Sequence, residues 1–134
     1  MKWGKRMEEK NKKILRYLDK WMGLREQGFT LTKYCRDRKI QSVGVYGFGR
    51  LGRHLVWELE TEGFTVPWII DKRCDKLTIN NRRYKLLPPE KMESIKDADM
   101  IIVTALEDYY SIEAQLCKYT RAEVISIEQI LDMM

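Results

Sequence analysis

The chain has 134 residues, of which 44% are hydrophobic and 34% charged, with a formal net charge of +5. This length fits one domain with its own hydrophobic core, and the apolar content excludes a disordered or low-complexity chain. The apolar runs are much shorter than the roughly 18 residues that a membrane span needs. Charged residues continue through the N-terminal segment, so no signal peptide is indicated and we expect a cytoplasmic protein.

The basic excess belongs to the N-terminal part of the chain. Residues 1–39 contain 13 Lys and Arg against 5 Asp and Glu, a net charge of +8, whereas residues 40–134 contain 12 against 15, a net charge of −3. A general argument from basicity to nucleic acid therefore fails for most of the chain. The basic segment is short for an independent DNA-binding unit, so we expect no nucleic-acid partner.

Residues 1–40 are predicted to form a basic amphipathic helical extension. Apolar side chains recur at spacings of three and four residues between Glu8 and Leu24, and Thr30 is positioned to cap a second, short helix. One interpretation is a surface for nucleic acid, a membrane, a partner protein or a second copy of the chain. The other is a helical lid packed on the rest of the chain with its lysines and arginines in solvent. We favour the lid, because Trp21 and Met22 need burial.

Residues 41–134 change to alternating strands and helices. A short apolar strand over 42–46 leads directly into Gly47-Phe48-Gly49-Arg50-Leu51-Gly52, and a helix, a second strand over 64–70 and Asp71 follow. Asp71 lies 19 positions after Gly52. This order, with G-x-G-x-x-G between strand and helix, is the fingerprint of a dinucleotide-binding unit. It predicts an α/β protein, a Rossmann-like three-layer sandwich with a mostly parallel sheet.

The residues of this glycine loop have separate predicted roles. Gly47 permits the tight turn, Gly49 leaves room for a pyrophosphate, and Gly52 lets the helix lie close to the strand. The helix N-terminus offers free N–H groups to phosphate, and Arg50 is placed to contact it. Asp71 is predicted to bind ribose hydroxyls, while the basic residues after it leave a 2′-phosphate open. The full set of predicted cofactor-binding residues is Gly47, Phe48, Gly49, Arg50, Leu51, Gly52, Asp71, Lys72 and Thr104.

The rest of the chain is predicted to complete the sheet. Strands over 76–79 and 83–87 around Asn80-Asn81 indicate a hairpin-like insert. A short helix near 90–94, a strand over 99–104, a helix that carries Tyr109, a strand over 123–126 and a terminal helix over 127–134 follow. We expect about four parallel strands with crossover helices.

Catalytic and metal-binding patterns are not found in the sequence. Cys35, Cys74 and Cys117 form no C-x-x-C pair, and His54 is the only histidine. No tyrosine is followed four residues later by lysine, so the Tyr–Lys pair of short-chain dehydrogenases is missing. We expect no metal and no catalytic residue, and whether the protein is an enzyme stays open.

The segment from Gln41 to Met134 resembles the small Rossmann-like domains of bacterial surface-polysaccharide biosynthesis. The resemblance lies in V-Y-G-F-G-R-L-G at 45–52, I-I-D-K at 69–72, D-A-D-M-I-I-V-T-A at 97–105 and V-I-S-I-E-Q-I-L at 124–131. The families are the nucleotide-sugar-binding N-terminal domain of sugar O- and N-acyltransferases and the CoA-binding-like domain of polysaccharide epimerase/dehydratase proteins. The resemblance implies a nucleotide-binding domain linked to sugar metabolism.

The leading hypothesis is a domain that binds NAD(P) or a nucleotide-diphosphate sugar through the pyrophosphate at Gly47–Gly52. One alternative is an NAD(H)-dependent oxidoreductase or redox-sensor domain that works with a partner. Another is a non-enzymatic interaction module that docks or dimerises through its N-terminal helices.

Overall fold

The computed structural model describes residues 2–75 and 84–134. Five strands and five α-helices are found there, with one short 3-10 helix. In chain order they are α1 (Lys2–Glu26), α2 (Thr32–Asp37), β1 (Val43–Tyr46), α3 (Arg50–Thr61), β2 (Ile69–Ile70), β3 (Leu86–Leu87), the 3-10 helix (Pro89–Ser94), β4 (Met100–Val103), α4 (Tyr109–Leu116), β5 (Glu123–Ser126) and α5 (Ile127–Met133).

The strands of the described residues form one parallel sheet in the order β3-β2-β1-β4-β5. In the centre of the sheet, Val45 of β1 pairs with Ile69 of β2 on one side and with Ile102 of β4 on the other. Every residue of β1 and β4 is buried, as expected when helices cover both faces of a parallel sheet. This arrangement confirms the predicted α/β, Rossmann-like fold.

Each face of the sheet has its own hydrophobic cluster. One face packs against α1, α2, α3 and α5 through residues such as Trp21, Leu55 and Ile130. The other face packs against the 3-10 helix and α4 through residues such as Met92 and Leu116. The result is the predicted three-layer sandwich.

The edge of the sheet beyond β1 differs from the sequence prediction. The strand expected over 64–70 is reduced to Ile69–Ile70, with one isolated pairing between Thr65 and Ser42. Pro67 interrupts the strand because proline has no N–H to donate to a neighbouring strand.

The described part of the hairpin-like insert forms an additional parallel strand. Leu86–Leu87 lies as a fifth strand beside β2, with Ile69 paired to Leu86. The other predicted strand, 76–79, and the turn at Asn80-Asn81 lie outside the described residues, so the hairpin stays a prediction. The prediction of about four parallel strands missed this pairing, because the two paired segments are not neighbours in the sequence.

A buried carboxylate connects the N-terminal helices to the sheet layer. Glu58 of α3 is fully buried and accepts hydrogen bonds from Trp21 Nε1 (3.1 Å) and from the backbone N–H of Thr32 (2.9 Å). Arg25 Nε lies 3.3 Å from the same carboxylate. Thr30 was expected to cap α2, but α2 begins at Thr32 and its first N–H is bound by Glu58 instead.

Ion pairs fasten the middle of α1 to α5. Lys13 Nζ lies 2.9 Å from Glu128, and Lys20 Nζ lies 3.5 Å from Asp132. The hydroxyl of Tyr17 also donates to Asp132 at 3.2 Å. The expectation that the lysines of the extension are simply solvated is therefore wrong for these two.

The N-terminal helices share the core of the sheet. Tyr17, Trp21 and Cys35 belong to the same buried cluster as Val45 and Leu55. The division into 1–40 and 41–134 stays a prediction about domains. Among the described residues, no helix combines the length and apolar content needed to cross a bilayer.

Replacing Glu58 tests this connection. We expect Glu58→Ala to lower the free energy of unfolding by about 3–5 kcal/mol, because it leaves buried donors of Trp21 and Thr32 without an acceptor. The measurement is urea denaturation followed by tryptophan fluorescence. Glu9→Ala, an exposed site on α1, is the control and should change the free energy of unfolding by no more than about 0.5 kcal/mol. Equal losses in the two variants would contradict the role of Glu58.

Candidate functional site

The turn from β1 into α3 depends on two glycines. Gly47 has φ +107°, which strains any residue with a side chain, and a Cβ there would lie 2.5 Å from Thr104 Oγ1. At Gly52 a Cβ would lie 2.0 Å from the carbonyl oxygen of Gly47. Gly47 and Gly52 are therefore required by the packing of α3 against the sheet.

Gly49 has no such structural requirement. It precedes α3 in an extended conformation with φ −81°, which residues with side chains adopt. Among the described residues, a Cβ at Gly49 would meet only Arg73 Nη2, at 3.3 Å. The end of a flexible arginine moves easily, so the fold tolerates a side chain at this position. Packing of the described residues therefore does not require a glycine here.

Asp71 holds the glycine loop against the end of β2. Its side chain is buried, with Oδ2 accepting the N–H of Phe48 at 2.7 Å. Its Oδ1 accepts the N–H of Arg73 at 2.7 Å and lies 3.3 Å from Arg73 Nε. The sequence analysis assigned Asp71 to ribose, and that contact stays a prediction. The sequence analysis did not predict that Asp71 also holds the glycine loop. An acidic residue directly after β2 was the available indication of that role.

Thr104 has a comparable structural role after β4. Its hydroxyl is buried 2.9 Å from the carbonyl oxygen of Gly47 and 3.3 Å from that of Tyr46. Phe48 and Leu51 direct their side chains into the hydrophobic core. Any ligand contact of Leu51 would therefore come from its backbone N–H, one of the first in α3, which have no acceptor within the helix.

A cleft of about 270 Å³ lies over the glycine loop at the carboxyl edge of the sheet. Its walls are the glycine loop, the segments that follow β2 and β4, and helix α1. They contribute Gly47, Gly49, Arg50, Leu51 and Gly52 from the loop, Asp71 and Arg73 after β2, Thr104, Ala105 and Leu106 after β4, and Met7, Lys10, Asn11 and Ile14 from α1. The structure thus brings together most of the predicted site residues; Phe48 does not line the cleft.

A second cleft of similar size continues from the first. It shares Lys10, Gly47, Asp71 and Arg73 with the first cleft and adds Lys72. Glu107 and Asp108 provide its acidic part, and Asp108 has a left-handed backbone with φ +61°. The two clefts form one groove across the ends of β2, β1 and β4, where ligands bind in open α/β sheets.

The groove is rich in cations. Among the residues that the structure describes, Lys10, Arg50 and Lys72 form no ion pair. The pair between Arg73 and Asp71 leaves the Arg73 side chain 59% exposed. Sequence analysis missed Lys10, because its position beside the loop depends on how α1 packs.

His54 and Cys35 lie outside the groove. His54 lies on α3 with its ring 6.3 Å from that of Trp21, and partial burial with nearby Arg53 and Arg25 lowers its pKa. Burial raises the pKa of the Cys35 thiol to about 11. Over residues 2–75 and 84–134, no group of three His, Cys, Asp or Glu is placed to hold a metal ion.

Larger grooves lie elsewhere among the described residues. One, of about 440 Å³, lies between the end of α1, α2 and α5, and Leu24, Phe29, Tyr34 and Met133 contribute to its lining. It shares no residue with the glycine-loop cleft. Size alone therefore does not identify the candidate site.

Comparison with known proteins supports the fold. No protein-family model matches the sequence, and a comparison with curated proteins gives no match. The structure is similar to a crystal structure of a chorismate mutase/shikimate 5-dehydrogenase fusion protein from Clostridium acetobutylicum, with a TM-score of 0.58 and 10% identity. The match covers 75% of this chain and 48% of that one, so the chain spans about half the length of its structural relative. At this identity the likeness shows the Rossmann-like fold.

Two glycine variants test which of these glycines the packing requires. We expect Gly52→Ala to lower the free energy of unfolding by about 3 kcal/mol or more, because its Cβ collides with the backbone of Gly47. Gly49→Ala should stay within about 1 kcal/mol of the parent protein, because only the tip of Arg73 must move. Urea denaturation of both variants measures the difference, and similar midpoints would contradict the assignment.

Proposed function

We propose that the chain binds a nucleotide through its diphosphate at the Gly47–Gly52 loop, with NAD(P) and nucleotide-diphosphate sugars as candidate ligands. The observation that carries the proposal is a glycine at position 49 that the packing does not require. Gly47 and Gly52 are required by the fold alone, but in the part of the chain that the structure describes a Cβ at Gly49 would meet the tip of Arg73 and no backbone atom. Close approach of a pyrophosphate to the backbone explains a glycine at that place.

The charges around the loop support an anionic ligand. Arg50 and Arg53 lie in the first turn of α3, where a positive charge opposes the helix dipole, typically by 0.3–1 kcal/mol per residue. Phosphate bound at the helix N-terminus would offset this unfavourable interaction. Arg73 and Lys72 extend the positive charge toward the end of β2.

Arg73 favours a phosphorylated ribose among the dinucleotides. Its guanidinium is anchored through Nε to Asp71, and Nη2 lies near Gly49. Basic side chains after the second strand accommodate the 2′-phosphate of NADP, whereas a free carboxylate there suits the hydroxyls of NAD. Asp71 already accepts three hydrogen bonds within the protein. We therefore place NADP ahead of NAD.

Two other sources bear on the ligand class. The resemblance at 45–52, 69–72 and 97–105 favours a nucleotide sugar and a connection to polysaccharide biosynthesis. The name of the structural relative includes a 5-dehydrogenase, which favours an oxidoreductase domain that obtains its catalytic groups from a partner. The nucleotide that binds separates these possibilities, since a nucleotide sugar supports the first and a nicotinamide dinucleotide the second.

Calorimetric titration with NADP⁺, NAD⁺, UDP-glucose and coenzyme A tests the proposal. We expect one of these nucleotides to bind the parent protein and Gly49→Leu to weaken its binding at least tenfold, because the side chain fills the space proposed for the diphosphate.

Gly23→Leu is the matched control. Gly23 lies on α1, and a Cβ there meets no atom of the described residues within 4 Å. This variant should bind as the parent does. Unchanged affinity in folded Gly49→Leu protein would contradict the proposed binding mode, and the lack of any nucleotide binding would favour an interaction module.

A further inference from the structure

The inner face of α1 changes character along its length. Ile14, Tyr17 and Trp21 follow one another at helical spacing and pack against the core. One and two turns earlier the same face carries Lys10 and Met7, which line the glycine-loop cleft. The inner face of α1 is therefore apolar beside the core and carries the positive charge of Lys10 where the helix passes the glycine loop.

The position of this cation is set by contacts farther along α1. Lys13 pairs with Glu128 of α5, and the buried contact between Trp21 and Glu58 holds the helix against α3. Because an α-helix is stiff over three or four turns, these attachments also orient the turn that carries Lys10. Lys10 lines both parts of the groove, the one over Gly49 and the one toward Lys72.

The structure assigns to Lys10 a direct contact with the phosphates of the bound nucleotide, from the side opposite the glycine loop. This inference rests on the proposed function and adds α1 to the binding site. The loop would offer backbone N–H groups and Arg50 from one side, and α1 would offer the Lys10 ammonium from the other. Among the described residues no carboxylate forms an ion pair with Lys10, so its charge is available to a ligand.

A purely solvated lysine is the competing explanation, and Lys12 provides the comparison. Lys12 lies two residues farther along α1, about 200° around the helix, and does not line either cleft. It is exposed like Lys10 and carries the same charge. Lys10→Met and Lys12→Met therefore each remove one positive charge from α1. Lys10→Met removes it from the face that lines the groove, and Lys12→Met removes it from another face.

The experiment measures binding of inorganic pyrophosphate and NADP⁺ by calorimetry to the parent protein, Lys10→Met, Lys12→Met and Gly49→Leu. We expect Lys10→Met to weaken the binding of both probes about tenfold or more, the effect of losing one charge-assisted hydrogen bond. Lys12→Met should weaken binding by less than threefold. The thermal unfolding midpoints of both lysine variants should match that of the parent, because both side chains are exposed.

The outcomes distinguish the proposed nucleotide site at the glycine loop from the proposed contact of Lys10. Equal weakening by the two lysine variants would show general attraction and overturn the contact from Lys10. If only Gly49→Leu weakens binding, the nucleotide site stands and the role of Lys10 falls. If Lys10→Met weakens binding while Gly49→Leu does not, Lys10 binds the anion but the proposed loop mode falls. If neither pyrophosphate nor NADP⁺ binds the parent protein, the contact from Lys10 is overturned, and the titrations with UDP-glucose and coenzyme A decide whether the nucleotide site stands.

Discussion

The carboxylate of Glu58 fixes the relation between α1, α2 and the sheet. A charge with no exposed surface requires partners, and here the indole of Trp21, the first N–H of α2 and the guanidinium of Arg25 supply them. Separating α1 from α3 would break the contacts of Trp21 and Arg25 with this carboxylate and expose the fully buried Trp21 side chain to water. The helix that borders the glycine-loop cleft is therefore held by the core itself.

The spacing of the three glycines lets the loop pack tightly against the sheet and leaves Gly49 without a packing role. Gly47 and Gly52 approach each other so closely that α3 can begin directly above the end of β1. Asp71 and Thr104 then bind the loop from the strands on either side of β1, through Phe48 N–H and Gly47 C=O. These four residues hold the loop in one conformation through contacts within the protein. Preorganisation of this kind reduces the entropy lost on binding, and Gly49 is the position where we propose that the ligand approaches.

Local patterns in the sequence predicted most of the fold. The features that the sequence analysis missed depend on contacts between distant segments. The glycine fingerprint and the apolar strand over 99–104 were sufficient to predict a parallel Rossmann-like sheet, because both are readable within a few residues. The parallel pairing of Leu86 with Ile69 joins segments 17 positions apart, and no local pattern near either segment indicates it. Likewise, Lys10 enters the candidate site from 37 residues before Gly47, so no motif around the loop contains it.

The basic excess of the chain lies in the segment that contains α1, the helix that borders the groove. The net charge of +8 over residues 1–39 includes a run of lysines and arginines on the turns of α1 that extend past the cleft. Their combined field attracts anions toward the groove over about one Debye length, roughly 8–10 Å at ordinary ionic strength. For the proposed phosphate ligand, walls on two sides of the groove would exclude part of the surrounding water, which strengthens each ion pair relative to an open surface. In that proposal one helix supplies both effects, because its inner face contributes Lys10 to the groove and its other basic side chains contribute to the long-range field.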